Sequence, residues 1–289
     1  MFPHRRAVVS IGLLVIAGSV QADPTVINTC PTVITSPGDY VLRADLICGG
    51  GDGITIKTSG VSLRLEGHRI TAGVGANRAI AVNPSMGIPP PSVQNVHILG
   101  PGLITNGGAN TFGTGVFLLF AINSEVSGIT VLGSGSGIEA DECTFLTVTA
   151  NTLGRNSVGL NLGTVNLSTI SENDVSGNGT GIFLDAEDGA AAGTVSHNVI
   201  NGNTLAGLHI SAILFGATVQ NNIINGNGQY GIFVEPPPPP AQTVFGLEVT
   251  NNTSLANGMV DLFDGQTPNC KGTVWSGNTF FKANQSCIH

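Results

Sequence analysis

The chain has 289 residues and carries 18 acidic against 10 basic side chains, a formal net charge of −8. Only 10% of its residues are charged, 41% are hydrophobic and 41 are glycine, which gives enough apolar surface to bury a core and excludes a disordered chain. Arg155 is the single basic residue between Arg78 and Lys271, so nucleic acid is excluded as a partner for want of counter-charge, and a polyuronate would find few cationic contacts unless a metal ion bridged it.

Met1 to Arg6 is a short basic segment, Ala7 to Val20 is apolar, and Val20-Gln21-Ala22 offers a small-residue cleavage site. The apolar run is too short to span a bilayer. The expectation is a secretory signal over residues 1–22 and one secreted or periplasmic domain over 23–289. Residues 23–72 read as an N-terminal cap and first coil, because Ile54-Thr55-Ile56 and Val61-Ser62-Leu63-Arg64-Leu65 alternate with period two and an open solenoid end needs cover. Cys30 and Cys48 flank this cap, while Cys270 and Cys287 flank the C-terminal tail, 265–289. In an exported chain a disulfide at each end would staple the two caps, although four cysteines permit other connectivities. Cys143 is left as a buried free thiol. Residues 73–92, rich in Gly, Ala and Pro, read as a projecting loop, and coils are expected over 93–281.

The body of the chain is a repeat. Gly-aliphatic-x-aliphatic units begin at Gly115, Gly137, Gly159, Gly181, Gly207 and Gly231, with steps of 22, 22, 22, 26 and 24 residues. Such a period suits a β-solenoid coil rather than a helical hairpin. An aliphatic strand leading to an asparagine follows each of the later glycines, giving one column at Asn151, Asn173, Asn198, Asn222 and Asn252. A second column lies five residues on, at Asn156, Asn178, Asn203, Asn227 and Asn257. Asparagine tolerates left-handed backbone and bonds to neighbouring amides, so two columns imply two turns per coil, each stacked from coil to coil.

Short Gly-Ile-x-Leu strands, a Val-x-x-Asn-x-Ile strand and asparagine ladders resemble the right-handed parallel β-helix proteins of the pectin-lyase-like superfamily. The resemblance covers about residues 54–281 and implies an all-β, single-stranded right-handed parallel β-helix. It implies little about chemistry, since that fold hosts lyases, hydrolases, epimerases, adhesins and phage tailspikes. The polygalacturonase-like set of Asn-Thr-Asp, Asp-Asp, Gly-His-Gly and Arg-Ile-Lys is absent at corresponding places, as are the Asp-Pro-His of alginate epimerases and the arginine-bearing motif of pectate lyases. The chain is also similar to β-helix proteins of periplasmic copper-accessory type. Its Met86 and Met259 are isolated and its histidines scattered, however, so copper handling does not follow from the residues.

Alternation turns one column of side chains outward on the Gly-aliphatic-x-aliphatic strand: Phe117, Glu139, Asn161, Phe183, His209, Phe233 and Asp261. A neighbouring column reads Leu119, Asp141, Gly163, Asp185, Ser211, Glu235 and Phe263. Loops after Asp185 and Glu235 are expected to wall one edge of this face. Aromatic rings beside carboxylates are the composition of a sugar-binding groove, which makes an extracellular polysaccharide the expected partner. In that reading Phe117, Glu139, Asn161, Phe183 and Phe233 hold the glycan, and Asp141, Asp185, Glu235 and His209 carry any chemistry. Carboxylates two coils apart would stand about 9–10 Å apart, at or just beyond the upper end of the separation used by inverting glycosidases, so a hydrolase fits better than a lyase or epimerase. No cofactor is required, but Asp141, Asp185, Glu187 and Asp188 are of the type that holds Ca²⁺, against the reading of a solvated acidic loop. The rival reading is a structural or adhesive solenoid that binds no glycan on this face.

Overall fold

A computed structural model describes residues 23–82, 91–185, 193–211, 216–236, 246–266 and 268–289. The described chain contains strands and no α-helix, and every strand pairing is parallel. One long sheet has ten strands, a second has fourteen, and a short third sheet has four. Strands adjacent in space are one coil apart in sequence, so the chain winds as a parallel β-helix. Aliphatic side chains from all coils meet inside, with Ile80, Val116, Ile138, Leu160, Ile182, Leu208, Ile232 and Leu262 each fully buried.

The two asparagine columns form continuous ladders. In the first, the side-chain amide of each asparagine donates to the next side-chain oxygen, from Asn151 through Asn173, Asn198, Asn222 and Asn252 to Asn278, at 2.9–3.1 Å. Each also donates to a strand carbonyl, as Asn173 Nδ2 does to Val148 O at 2.9 Å. The second runs from Asn156 to Asn257 in the same way. Buried amides need every such partner, and these find them in the neighbouring coils. The left-handed backbone falls on the residue before each ladder asparagine rather than on the asparagine itself: Ala150, Glu172, His197, Asn221 and Asn251 all have φ between 54° and 58°.

The second ladder ends on a carboxylate. Asp261 Oδ1 accepts from Asn257 N at 3.1 Å and Nδ2 at 2.9 Å, and Oδ2 accepts from the amides of Phe281 and Lys282 at 2.9 and 3.0 Å. Burial alone would raise the Asp261 pKa, but these donors outweigh it and hold the carboxyl below its ordinary value.

Disulfides join Cys30 to Cys48 and Cys270 to Cys287, at the two ends as expected. Cys143 is free and buried, and burial pushes its thiol up to about 12. Residues 73–92 are not simply a loop. Arg78–Val82 is a strand of the ten-stranded sheet, between Ile54–Ile56 and Thr114–Leu119. Its Arg-Ala-Ile-Ala-Val sequence points Ile80 and Val82 inward like the later coils but carries Ala79 where they carry the marking glycine, which hid it.

Candidate functional site

The ten-stranded sheet fixes the outward column rung by rung. Phe117 pairs with Glu139, Glu139 with Asn161, Asn161 with Phe183, Phe183 with His209, His209 with Phe233, and Phe233 with Phe263. The top of the column therefore differs from expectation. Asp261 lies where the coil glycine would be, buried to cap the ladder, and Phe263 takes the outward position. The neighbouring column consequently runs past Glu235 to Gly265, whose amide donates to Val234 O.

The C-terminal half of this column is a stack of rings. Phe183 and His209 have ring centroids 4.7 Å apart, His209 and Phe233 5.0 Å, and Phe233 and Phe263 5.1 Å at an interplanar angle of 29°. Tyr230 packs 4.7 Å from Phe233 and 5.4 Å from Phe263. Phe233 is thus enclosed by three rings, and Phe183 and Phe233 are half-buried rather than open platforms. His209 Nε2 lies 2.7 Å from Glu235 Oε1, so these two expected site residues engage each other beside the stack.

The N-terminal half is a cleft. Glu139, Ala140, Asp141, Glu142, Asn161, Gly163, Thr164 and Asp185 line a depression of about 280 Å³. Its cause is Gly163, which stands between Asp141 and Asp185 in the neighbouring column. A Cβ there would come 2.5 Å from Asp141 Oδ1, so any side chain would enter the space between the two carboxylates. Asp141 is exposed, whereas Asp185, Glu139 and Asn161 are half-buried. Thr114 Oγ1 donates to Glu139 Oε2 at 2.8 Å and fixes that carboxylate.

Phe117 closes the N-terminal side differently from expectation. It is only 7% exposed, with the Arg78 guanidinium carbon 3.8 Å from its ring centroid. Arg78 is also 3.6 Å from Asp52. The face therefore does carry a cation, already engaged by a ring and a carboxylate. The structure brings Asp141, Asp185, Glu139 and Asn161 together, groups His209, Glu235, Phe183 and Phe233 at a second place, and removes Phe117 from the surface. Sequence reading missed Glu142, Thr164, Tyr230 and the role of Gly163; the signal available was a glycine replacing a side chain between two carboxylates at matching repeat positions.

Residues 94–287 match the family model described as "Periplasmic copper-binding protein (NosD)". The chain belongs to the NosD family. No curated protein matches it significantly in sequence. Among solved structures it is similar to the tailspike protein of E. coli bacteriophage HK620, as the E372Q mutant in complex with a pentasaccharide, with a TM-score of 0.62 and 15% identity over 87% of this chain. It covers 52% of that tailspike, about half its length. It is also similar to DFA-IIIase from Arthrobacter chlorophenolicus A6 in complex with GF2, with a TM-score of 0.66 and 15% identity over 84% of this chain and 69% of the other. These likenesses establish the shared β-helix fold.

The NosD description raises the question of copper. Among the described residues no three His, Cys, Asp or Glu side chains gather as a group that could hold a metal ion. Cys143 is buried with its pKa raised away from thiolate, and Met259 lies exposed on an outer turn. Neither gives copper the soft donor cluster it favours. The described donors of this NosD-family chain do not fit a resident copper site. Met86, Glu187, Asp188 and the expected walls beyond Asp185 and Glu235 lie outside the described residues. Among the described residues the carboxylates around the cleft do not gather as a group of three that could hold a cation. Membership in a family described as periplasmic and the two disulfides are consistent with a location outside the cytoplasm, and no described helix is long and apolar enough to cross a membrane.

Proposed function

We propose that this NosD-family protein is exported and binds an extracellular polysaccharide in the cleft between Asp141 and Asp185. The observation that carries this reading is the gap at Gly163, which opens a space between two outward carboxylates held in register by the sheet. Carboxylates accept hydrogen bonds from sugar hydroxyls, and Asn161 and Thr164 add neutral polar groups along the same wall. A neighbour of the same fold is described in complex with a pentasaccharide, which supports a glycan as ligand class. The net charge and the acidic lining favour a neutral glycan over a polyanionic one.

Register places Asp141 and Asp185 two coils apart, about 9–10 Å at the ordinary strand spacing, at or just past the upper end of the range for inverting glycoside hydrolysis. In that chemistry one carboxyl protonates the leaving oxygen and the other activates water. Binding and turnover are separated by presenting the mature protein with a panel of neutral and acidic polysaccharides, with and without Ca²⁺, and following affinity, reducing ends and unsaturated products. Asp141→Asn and Asp185→Asn are expected to weaken binding by about tenfold, as each removes a charge-assisted acceptor. Any release of reducing ends should vanish in both. Wild-type affinity in both variants, or no retained polysaccharide at all, would overturn the reading and favour a scaffold.

A further inference from the structure

On the far side of the short third sheet from the cleft, one turn position repeats up the solenoid in left-handed backbone. Among the described residues its occupants include Gly60, Asn95, Asn123, Phe145, Leu167, Gly216, Gly246 and Gly272, with φ of 70°, 55°, 49°, 55°, 50°, 64°, 71° and 92°. Asparagine and glycine are at ease there, and Asn123 Nδ2 donates to Asn95 Oδ1 as a short ladder. A phenylalanine and a leucine are not, and a bulky residue at positive φ stores strain. Both are also set in solvent, Phe145 at 52% and Leu167 at 55% exposure. Two successive rungs therefore carry two separate penalties that Asn or Gly would remove.

The surroundings indicate what such a ridge would contact. Phe145, Leu167, Ser168, Thr169, Thr194 and Thr218, with Gly193 and Gly216, line a groove of about 420 Å³. Thr169, Thr194 and Thr218 stand on consecutive coils in register. Among the described residues no charged side chain lines this groove, in a chain of net charge −8. An open aromatic ring, a row of hydroxyls and the absence of charge match an uncharged, hydroxyl-rich ligand with apolar ring faces. A second protein would ask for a broader apolar core than one ring and one leucine.

We propose that the Phe145–Leu167 ridge and its threonine wall form a second carbohydrate-binding track, which takes a neutral oligosaccharide along the solenoid axis independently of the acidic cleft. Phe145 supplies the stacking surface, and Thr169, Thr194 and Thr218 supply hydroxyls at one-coil intervals.

The test titrates neutral β-glucan, xylan and mannan hexasaccharides into the full mature chain and into Phe145→Asn, Leu167→Gly and Asp185→Asn, following Thr169, Thr194 and Thr218 methyl resonances by NMR. At least one hexasaccharide should shift these methyls in the wild type. Phe145→Asn should weaken that binding about five- to tenfold while raising Tm by about 2–4 °C, because strain is relieved. Leu167→Gly should act in the same two directions, and Asp185→Asn should leave the methyl shifts intact. Four results would overturn the track: methyls that respond to none of the three, unchanged affinity in Phe145→Asn, a lower Tm in that variant, or self-association of the wild type that Phe145→Asn abolishes. A cleft that fails while the methyl shifts persist would sink the cleft reading alone.

Discussion

One outward column of one sheet behaves in two ways. From Phe183 to Phe263 its residues are rings that stack on one another, and Phe233 spends its surface on His209, Tyr230 and Phe263. From Glu139 to Asp185 its neighbourhood is carboxylate, amide and a bare glycine, and the same backbone opens a cleft. Both halves are strands of one parallel sheet in continuous register. A uniform solenoid thus decides only where side chains meet, and their chemistry decides whether they satisfy each other or leave room for a ligand. Aromatic residues on a surface argue for a glycan platform only when their faces remain open, which the stack prevents.

The sharpest way to break this contrast is to fill the cleft. Gly163→Leu puts a side chain between Asp141 and Asp185 and should lower polysaccharide affinity by about tenfold or more, with Tm little changed since the new atoms meet a movable carboxylate. Equilibrium binding and thermal unfolding of the same preparation check both halves of the statement. The opposite pattern is expected at the other end. Phe233→Ala removes the enclosed ring of the stack and should cost about 1–3 kcal/mol of stability in denaturant titration, while cleft affinity stays at the wild-type level. Should it cut affinity without touching stability, the stack would be the platform after all.

A smaller effect concerns the end of the ladder beneath the stack. The Asp261 carboxyl is held below its ordinary value by its donors, so its contribution is present above the usual carboxylate range and is lost as pH falls through the lowered folded value. Burial pushes Asp264 the other way, so its charged form opposes stability as pH rises. Asp261→Asn should cost about 1–3 kcal/mol near neutral pH and lose less further stability than the wild type on acidification, as read by Tm across the acid limb. Equal acid loss in both proteins would contradict the assigned role.

Much of this was open to the sequence because a solenoid repeats its rules. Gly137, Gly159 and Gly181 at even spacing and the paired asparagines announced coils, turns and ladders, since each buried amide needs an identical partner one coil away. Reading failed where the repeat changed its wording. Arg78–Val82 has no leading glycine and was passed over as loop. Asp261 stands in the glycine's place because the last ladder rung needs an acceptor, and it displaced the column by two residues. In the site, alternation correctly brought Asp141 and Asp185 to one face, but it carries no information about ring orientation. That is why Phe233 read as a platform and the role of Gly163 went unread.

The most direct measurement is a crystal structure of the mature protein with a bound oligosaccharide chosen from the binding panel. Sugar density across Gly163, with hydroxyls within hydrogen-bond distance of Asp141 and Asp185, is the result expected. A chain lying instead along Phe183, His209 and Phe233, with the cleft empty of sugar, would contradict the account.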